Sequence, residues 1–66
     1  MIKLRILEIL EQKGKSKYWL HKQMGMDASS FKKLANNETT RISFETIDAL
    51  CQILECTPND LFVFDL

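Results

Sequence analysis

The stretch SKYWLHKQMGMDASSFKKLANN, Ser16 to Asn37, reads as two short helices joined by a glycine turn. Ser16 is placed as an N-cap, and Leu20 and Met24 fall four residues apart on one helical face. Gly25 follows where a tight turn requires positive φ. Asp27 supplies a second N-cap, with Phe31 and Leu34 as the apolar side of the next helix. Ala28, Ser29, Lys32 and Lys33 are left facing outward, small residues at the helix start and cations one turn later. A helix end with little bulk and nearby positive charge suits the major groove of DNA. An αα-hairpin with solvated lysines accounts for the same pattern without any ligand.

Working outward, Met1 to Leu4 alternates apolar and charged residues, after which Ile6, Leu7, Ile9 and Leu10 take helical spacing. Gly14 is a natural stop for that helix. Beyond the central pair, Asn36 and Asn37 tolerate the left-handed conformation, and Glu38 to Ile42 is a polar loop. Ser43 caps a fourth helix whose Phe44, Ile47, Leu50, Cys51 and Leu54 have the spacing of a buried stripe. Thr57-Pro58-Asn59-Asp60 opens a short fifth helix, with Thr57 as cap and Pro58 in the first helical position. The tail LFVFDL, Leu61 to Leu66, is β-prone, with Phe62, Phe64 and Leu66 on one face and Leu61, Val63 and Asp65 on the other. Either it continues as helix, or it is a strand covered on both sides. Its pairing partner within the chain is then Met1 to Leu4, although pairing between two chains fits equally. The fold class is all-α, with a short terminal β-ribbon added.

Sixty-six residues, 45% apolar and 27% charged, make a single domain, residues 1–66, with one small core. No apolar run approaches the roughly 18 residues of a membrane span, and no secretory signal is visible, so a cytoplasmic location without a membrane partner is expected. The formal net charge is zero, but its distribution is not even. From Lys13 to Arg41 seven cations stand against two carboxylates, and the remainder is acidic. Cys51 and Cys56 lie five apart across a helix end, where their side chains are expected to diverge as reduced, buried thiols. His21 is the sole histidine and has no cysteine at metal-ligand spacing, so no metal is expected. No paired carboxylates or nucleophile–base set supports catalysis. Neither a cofactor nor a small-molecule ligand is expected, because every helix is needed to enclose the one core.

Five helices with a turn-linked pair in second and third place resemble the lambda-repressor and Cro-like helix-turn-helix domains, the Xre family. The residues carrying the resemblance are Lys13 to Ser16, Leu20, the Gly25-Met26-Asp27 turn, Phe31 with Leu34, Asn36-Asn37 and the closing SFETIDALCQILECTPNDLF. MIKLRI and LFVFDL resemble the β-ribbon added by some small members. The resemblance implies a five-helix bundle whose third helix reads DNA, with Ala28, Ser29, Lys32 and Lys33 in base-reading positions. It assigns phosphate contacts to Lys17, Tyr18, Asn36, Asn37, Thr39, Thr40 and Arg41. Three departures stand out. Lys17 replaces a common Gln, and His21 a usual Ala where the motif helices cross. Leu10 with Ala35 replaces a buried Arg–Glu pair.

Two functions follow from different classes. The first is a sequence-specific repressor binding double-stranded DNA at a palindromic operator. It is expected to act as a homodimer joined through Leu61, Val63, Phe64 and Leu66. The second is a protein-interaction or antitoxin-like module on the same bundle, for which the neutral total charge and the modest base-reading set speak. An enzyme is a distant third.

Overall fold

The computed structural model describes residues 1–65; Leu66, expected in the dimer interface, lies outside them. Its elements run β1 (Ile2–Leu4), α1 (Ile6–Lys13), α2 (Lys17–Met24), α3 (Ala28–Ala35), α4 (Phe44–Leu54), α5 (Pro58–Leu61) and β2 (Phe62–Phe64). Four helices begin where the sequence supplies an oxygen for an otherwise unpaired N–H. Ser16 Oγ accepts from the Trp19 amide at 3.0 Å, Asp27 Oδ2 from the Ser30 amide at 2.9 Å, and Ser43 Oγ from the Thr46 amide at 3.1 Å. Thr57 and Asp60 bond each other's backbone N–H in a capping box, with Pro58 at the helix start. Helix α1 has no side-chain cap at Arg5. There the Arg5 amide instead donates to the Leu61 carbonyl at 2.8 Å, so α1 starts from the ribbon. Gly14 and Gly25 end α1 and α2 at φ 67° and 68°.

One core takes side chains from β1 and all five helices: Leu4, Ile6, Ile9, Leu10, Leu20, Phe31, Leu34, Ala35, Leu50, Leu54 and Leu61. Leu10 and Ala35 are both buried in it, as an apolar pair should be. Trp19 packs at its periphery. Two residues of the expected apolar stripes are corrected. Leu7 is 44% exposed on α1, and Phe44 is 89% exposed at the first position of α4. The stripe of α4 keeps its period through Phe44, but the core ends about one turn later, where Ile47 makes the first contact.

The termini pair within the chain. β1 and β2 are antiparallel, with Ile2 opposite Phe64, Lys3 opposite Val63 and Leu4 opposite Phe62. Beyond the ribbon ends the Asp65 amide donates to the Met1 carbonyl at 2.7 Å. Directly opposed residues share a face, and alternate residues return to it. Leu4 and Phe62 pack on the core, whereas Ile2 and Phe64 continue that face past it, each 66% exposed. On the reverse face Lys3 Nζ meets Asp65 Oδ2 at 2.9 Å beside Val63. Leu61 is not on this surface. It is the last residue of α5 and fully buried, so the expectation that it joins a dimer interface is corrected.

The cysteines also differ from expectation. Helix α4 ends at Glu55 in the left-handed conformation, φ 53°, and both the Glu55 and Cys56 amides donate to the Cys51 carbonyl, the latter at 3.0 Å. This reversal brings the residue after the turn back over the last helical turn. Cys56 therefore lies beside Cys51. Burial pushes the Cys56 thiol above its ordinary value, and the adjacent Cys51 thiol adds to the effect. Five residues along an unbroken helix would diverge; these do not, because the helix stops between them.

Candidate nucleic-acid interface

The interface is built on α3, whose inner side is fixed by Phe31, Leu34 and Ala35 in the core. Burying these three forces Ala28, Ser29, Lys32 and Lys33 outward, and all four are exposed. Asp27 bonds the Ser30 backbone and hydroxyl, which holds its carboxyl below the ordinary range. Its negative charge is thus spent on the first turn of α3, where the helix dipole favours it.

Two grooves flank α3. The first, about 240 Å³, is lined by Lys17, Tyr18, His21, Ala28, Phe31, Lys32, Ala35 and Asn36. It brings together Lys17, Tyr18, Ala28, Lys32 and Asn36, five of the residues singled out from the sequence. Lys17 stands at the start of α2, whose first-turn amides have no acceptor within the helix. Tyr18 is 68% exposed, with the Lys22 ammonium 5.3 Å from its ring centre. His21 accommodates its bulk by tilting against Phe31. The rings stack with centroids 4.9 Å apart, and His21 Nε2 lies 2.8 Å from the Met26 carbonyl oxygen. The helix pair therefore closes over the larger ring, which covers the edge of the core.

The second groove, about 170 Å³, runs between α3 and the start of α4 and includes Lys33, Thr39 and Arg41. The hydroxyl of Thr39 donates to the Arg41 carbonyl at 3.3 Å, which shapes the loop and leaves the Arg41 side chain exposed. Thr40 lies further round, in a depression of about 180 Å³ between this loop and β1. Ser29 lies on α3 outside both grooves.

Asn37 has a structural task within the chain. At φ 60° it turns the chain out of α3, and its side-chain amide spans the outer edge of β1. The Leu4 amide donates to Asn37 Oδ1 at 2.7 Å, and Asn37 Nδ2 donates to the Leu4 carbonyl at 3.0 Å. Both ends of the amide make a bond within the chain, which favours a turn-and-clamp role for Asn37 over the phosphate contact expected of it. No local pattern could reveal this clamp, because its partners lie 33 residues apart. The sequence reading also missed Phe44, which stands fully out from the start of α4 beyond the Arg41 loop.

Among the described residues no cluster of three or more His, Cys, Asp or Glu side chains is arranged to hold a metal. No helix among them is long and apolar enough to cross a membrane.

Comparison with solved structures finds the same fold in a "putative DNA-binding protein" from Bacteroides fragilis. The two share 24% identity and superpose with a TM-score of 0.80, over 96% of this chain and 100% of that one. No curated protein matches the sequence. Residues 5–65 match the Cro/C1-type helix-turn-helix DNA-binding domain, which covers the motif, the closing helices and the second strand. With α2 and α3 in the expected places and the third helix presenting its cationic side, the chain belongs to the Cro/C1-type helix-turn-helix DNA-binding family, whose members are non-enzymatic regulators.

Proposed function

We propose that this chain is a transcriptional repressor of the cytoplasm that reads a palindromic operator as a homodimer. The observation that carries the reading is the outward side of α3, flanked by one groove holding Lys17 and Lys32 and another holding Lys33 and Arg41. A helix between two pairs of cations matches a groove between two phosphate backbones. Lys33 reaches guanine O6 or N7, Ser29 is weakly selective, and Ala28 meets a thymine methyl. Lys32 adds charge beside them. Such a set reads few bases directly, so backbone contact and DNA shape supply much of the preference. Lys17, Tyr18 and the first amides of α2 hold phosphate on one side. Asn36, Thr39, Thr40 and Arg41 hold it on the other.

Dimerisation supplies the second half-site. Val63 and Phe64 offer apolar groups on the two faces of a two-stranded ribbon whose outer edge at β2 is open. Twofold association covers that surface and sets two recognition helices about 34–36 Å apart. The same exposed Ile2 and Phe64 also favour a second reading, in which the ribbon binds a different protein and the cations are solvated.

The test is selection of a duplex from random sequence, followed by Lys33→Ala and Lys17→Ala. Lys33→Ala is expected to cost about 1–3 kcal/mol and to relax preference at one position. Lys17→Ala is expected to weaken all duplexes alike and to make the salt slope shallower by about one unit. Selection of no duplex, or indifference to both changes, favours the protein-interaction reading.

A further inference from the structure

Cys51 and Cys56 stand side by side, and nothing in the proposed DNA-binding reading uses them. The left-handed turn at Glu55 and the 3.0 Å bond from the Cys56 amide to the Cys51 carbonyl close a tight loop with one cysteine at each end. In helix ends of this kind the side chains at those two positions frequently touch, and here the Cys51 side chain acts directly on the Cys56 thiol. Both residues pack against the core yet remain partly exposed, so the pair is held in place while open to a small reagent. An apolar contact alone would be met by two aliphatic residues, whereas two thiols in contact can be joined without moving the backbone far.

We propose that Cys51 and Cys56 form a dithiol modification site, converted reversibly to an intrachain disulfide by a low-molecular-weight disulfide such as oxidised glutathione. One cysteine thiolate attacks a sulfur of the reagent, and the first glutathione leaves as thiolate, taking up the released proton. The second cysteine attacks the protein-side sulfur of the mixed disulfide, loses its proton and expels the second glutathione. Two protein thiols are oxidised and one glutathione disulfide is reduced to two thiols. The bond ties the last turn of α4 to the residue before the α5 cap, and so to the segment that leads into β2.

Groups from three helices bear on the Cys56 thiol. Burial comes first in raising its thiol, the Cys51 thiol and Asp60 act in the same direction, and Lys13 from the end of α1 opposes them. Exchange through Cys56 accordingly accelerates as pH rises above neutral.

The experiment uses the full chain, incubated with oxidised glutathione, quenched with acid, alkylated and digested with trypsin. No Lys or Arg follows Arg41, so one peptide, residues 42–66, carries both cysteines. The expected product is that peptide lighter by two hydrogens, unalkylated, and restored by dithiothreitol. The oxidised chain is expected to melt up to about 10 °C higher, since a short loop closed by a disulfide constrains the unfolded chain. Cys56→Ser is expected to trap a glutathione adduct on Cys51. A wild-type peptide that keeps its glutathione adducts, links only to a second chain, or remains fully alkylated overturns the proposal. The result is independent of DNA binding, because the readout is the mass of one peptide.

Discussion

Replacing Asn37 by Ala tests whether the end of the recognition helix and the terminal ribbon are held together by one side chain. The wild-type amide makes two hydrogen bonds to the Leu4 backbone, at 2.7 and 3.0 Å, and occupies φ 60°. Each bond contributes about 1 kcal/mol net, because water can replace it in part at this half-exposed edge. Alanine in the left-handed region adds about 1 kcal/mol of strain that asparagine largely avoids. The sum is about 2–3 kcal/mol, a large share of the stability of so small a domain. Melting should therefore fall by about 10–20 °C. Urea denaturation followed by circular dichroism measures the loss directly, and an unchanged slope would show that only stability was altered. Asn37→Gly separates the two contributions, since glycine accepts the backbone angle without strain; its loss should be about 2 kcal/mol. If Asn37→Gly matches wild type, the clamp contributes nothing and the argument fails. DNA affinity per folded molecule should be unchanged by Asn37→Gly. A loss of affinity at full stability would return Asn37 to the phosphate contacts.

Two further perturbations probe the ribbon and a helix cap. Val63→Lys should yield a monomer with an intact helical bundle and much weaker operator binding, read by sedimentation and gel shift. A wild-type chain that sediments as a monomer at high micromolar concentration removes the dimer. Asp27, whose ordinary value of 3.8 is lowered in the folded chain by its bonds to Ser30, contributes stability that is fully present above the ordinary value. That contribution is lost as pH falls through the lower folded value. Asp27→Asn retains a cap acceptor but no charge, so its urea midpoint should decline less between neutral pH and about pH 3 than that of wild type. Equal declines would show that the Asp27 charge plays no part.

Apart from the start of α1, which hangs on the Leu61 carbonyl, the helix starts of this protein are written in its sequence because each is decided within four residues. Ser16, Asp27, Ser43 and Thr57 accept from amides three positions on, and Gly14 and Gly25 turn the chain by their own backbone freedom. The outward side of α3 was legible for the same reason, since burying Phe31 and Leu34 determines where Lys32 and Lys33 point. Pairing of the two termini is one of the readings the sequence leaves open, since only two segments are β-prone; that they pair antiparallel and within the chain was decided by the fold. What periodicity could not decide was the limit of the core. Phe44 and Leu61 both fit apolar patterns, yet one is fully out and the other fully in, because burial depends on which neighbours surround a position. The two cysteines meet because Glu55, not a glycine, takes the left-handed turn between them. From the sequence Asn37 is a polar residue of the loop after α3; only when β1 lies beside the end of α3 does an unpaired strand edge appear within reach of its amide. Local chemistry determines where helices start and stop, whereas a hydrogen bond across 33 residues exists only after the whole chain has closed on its core.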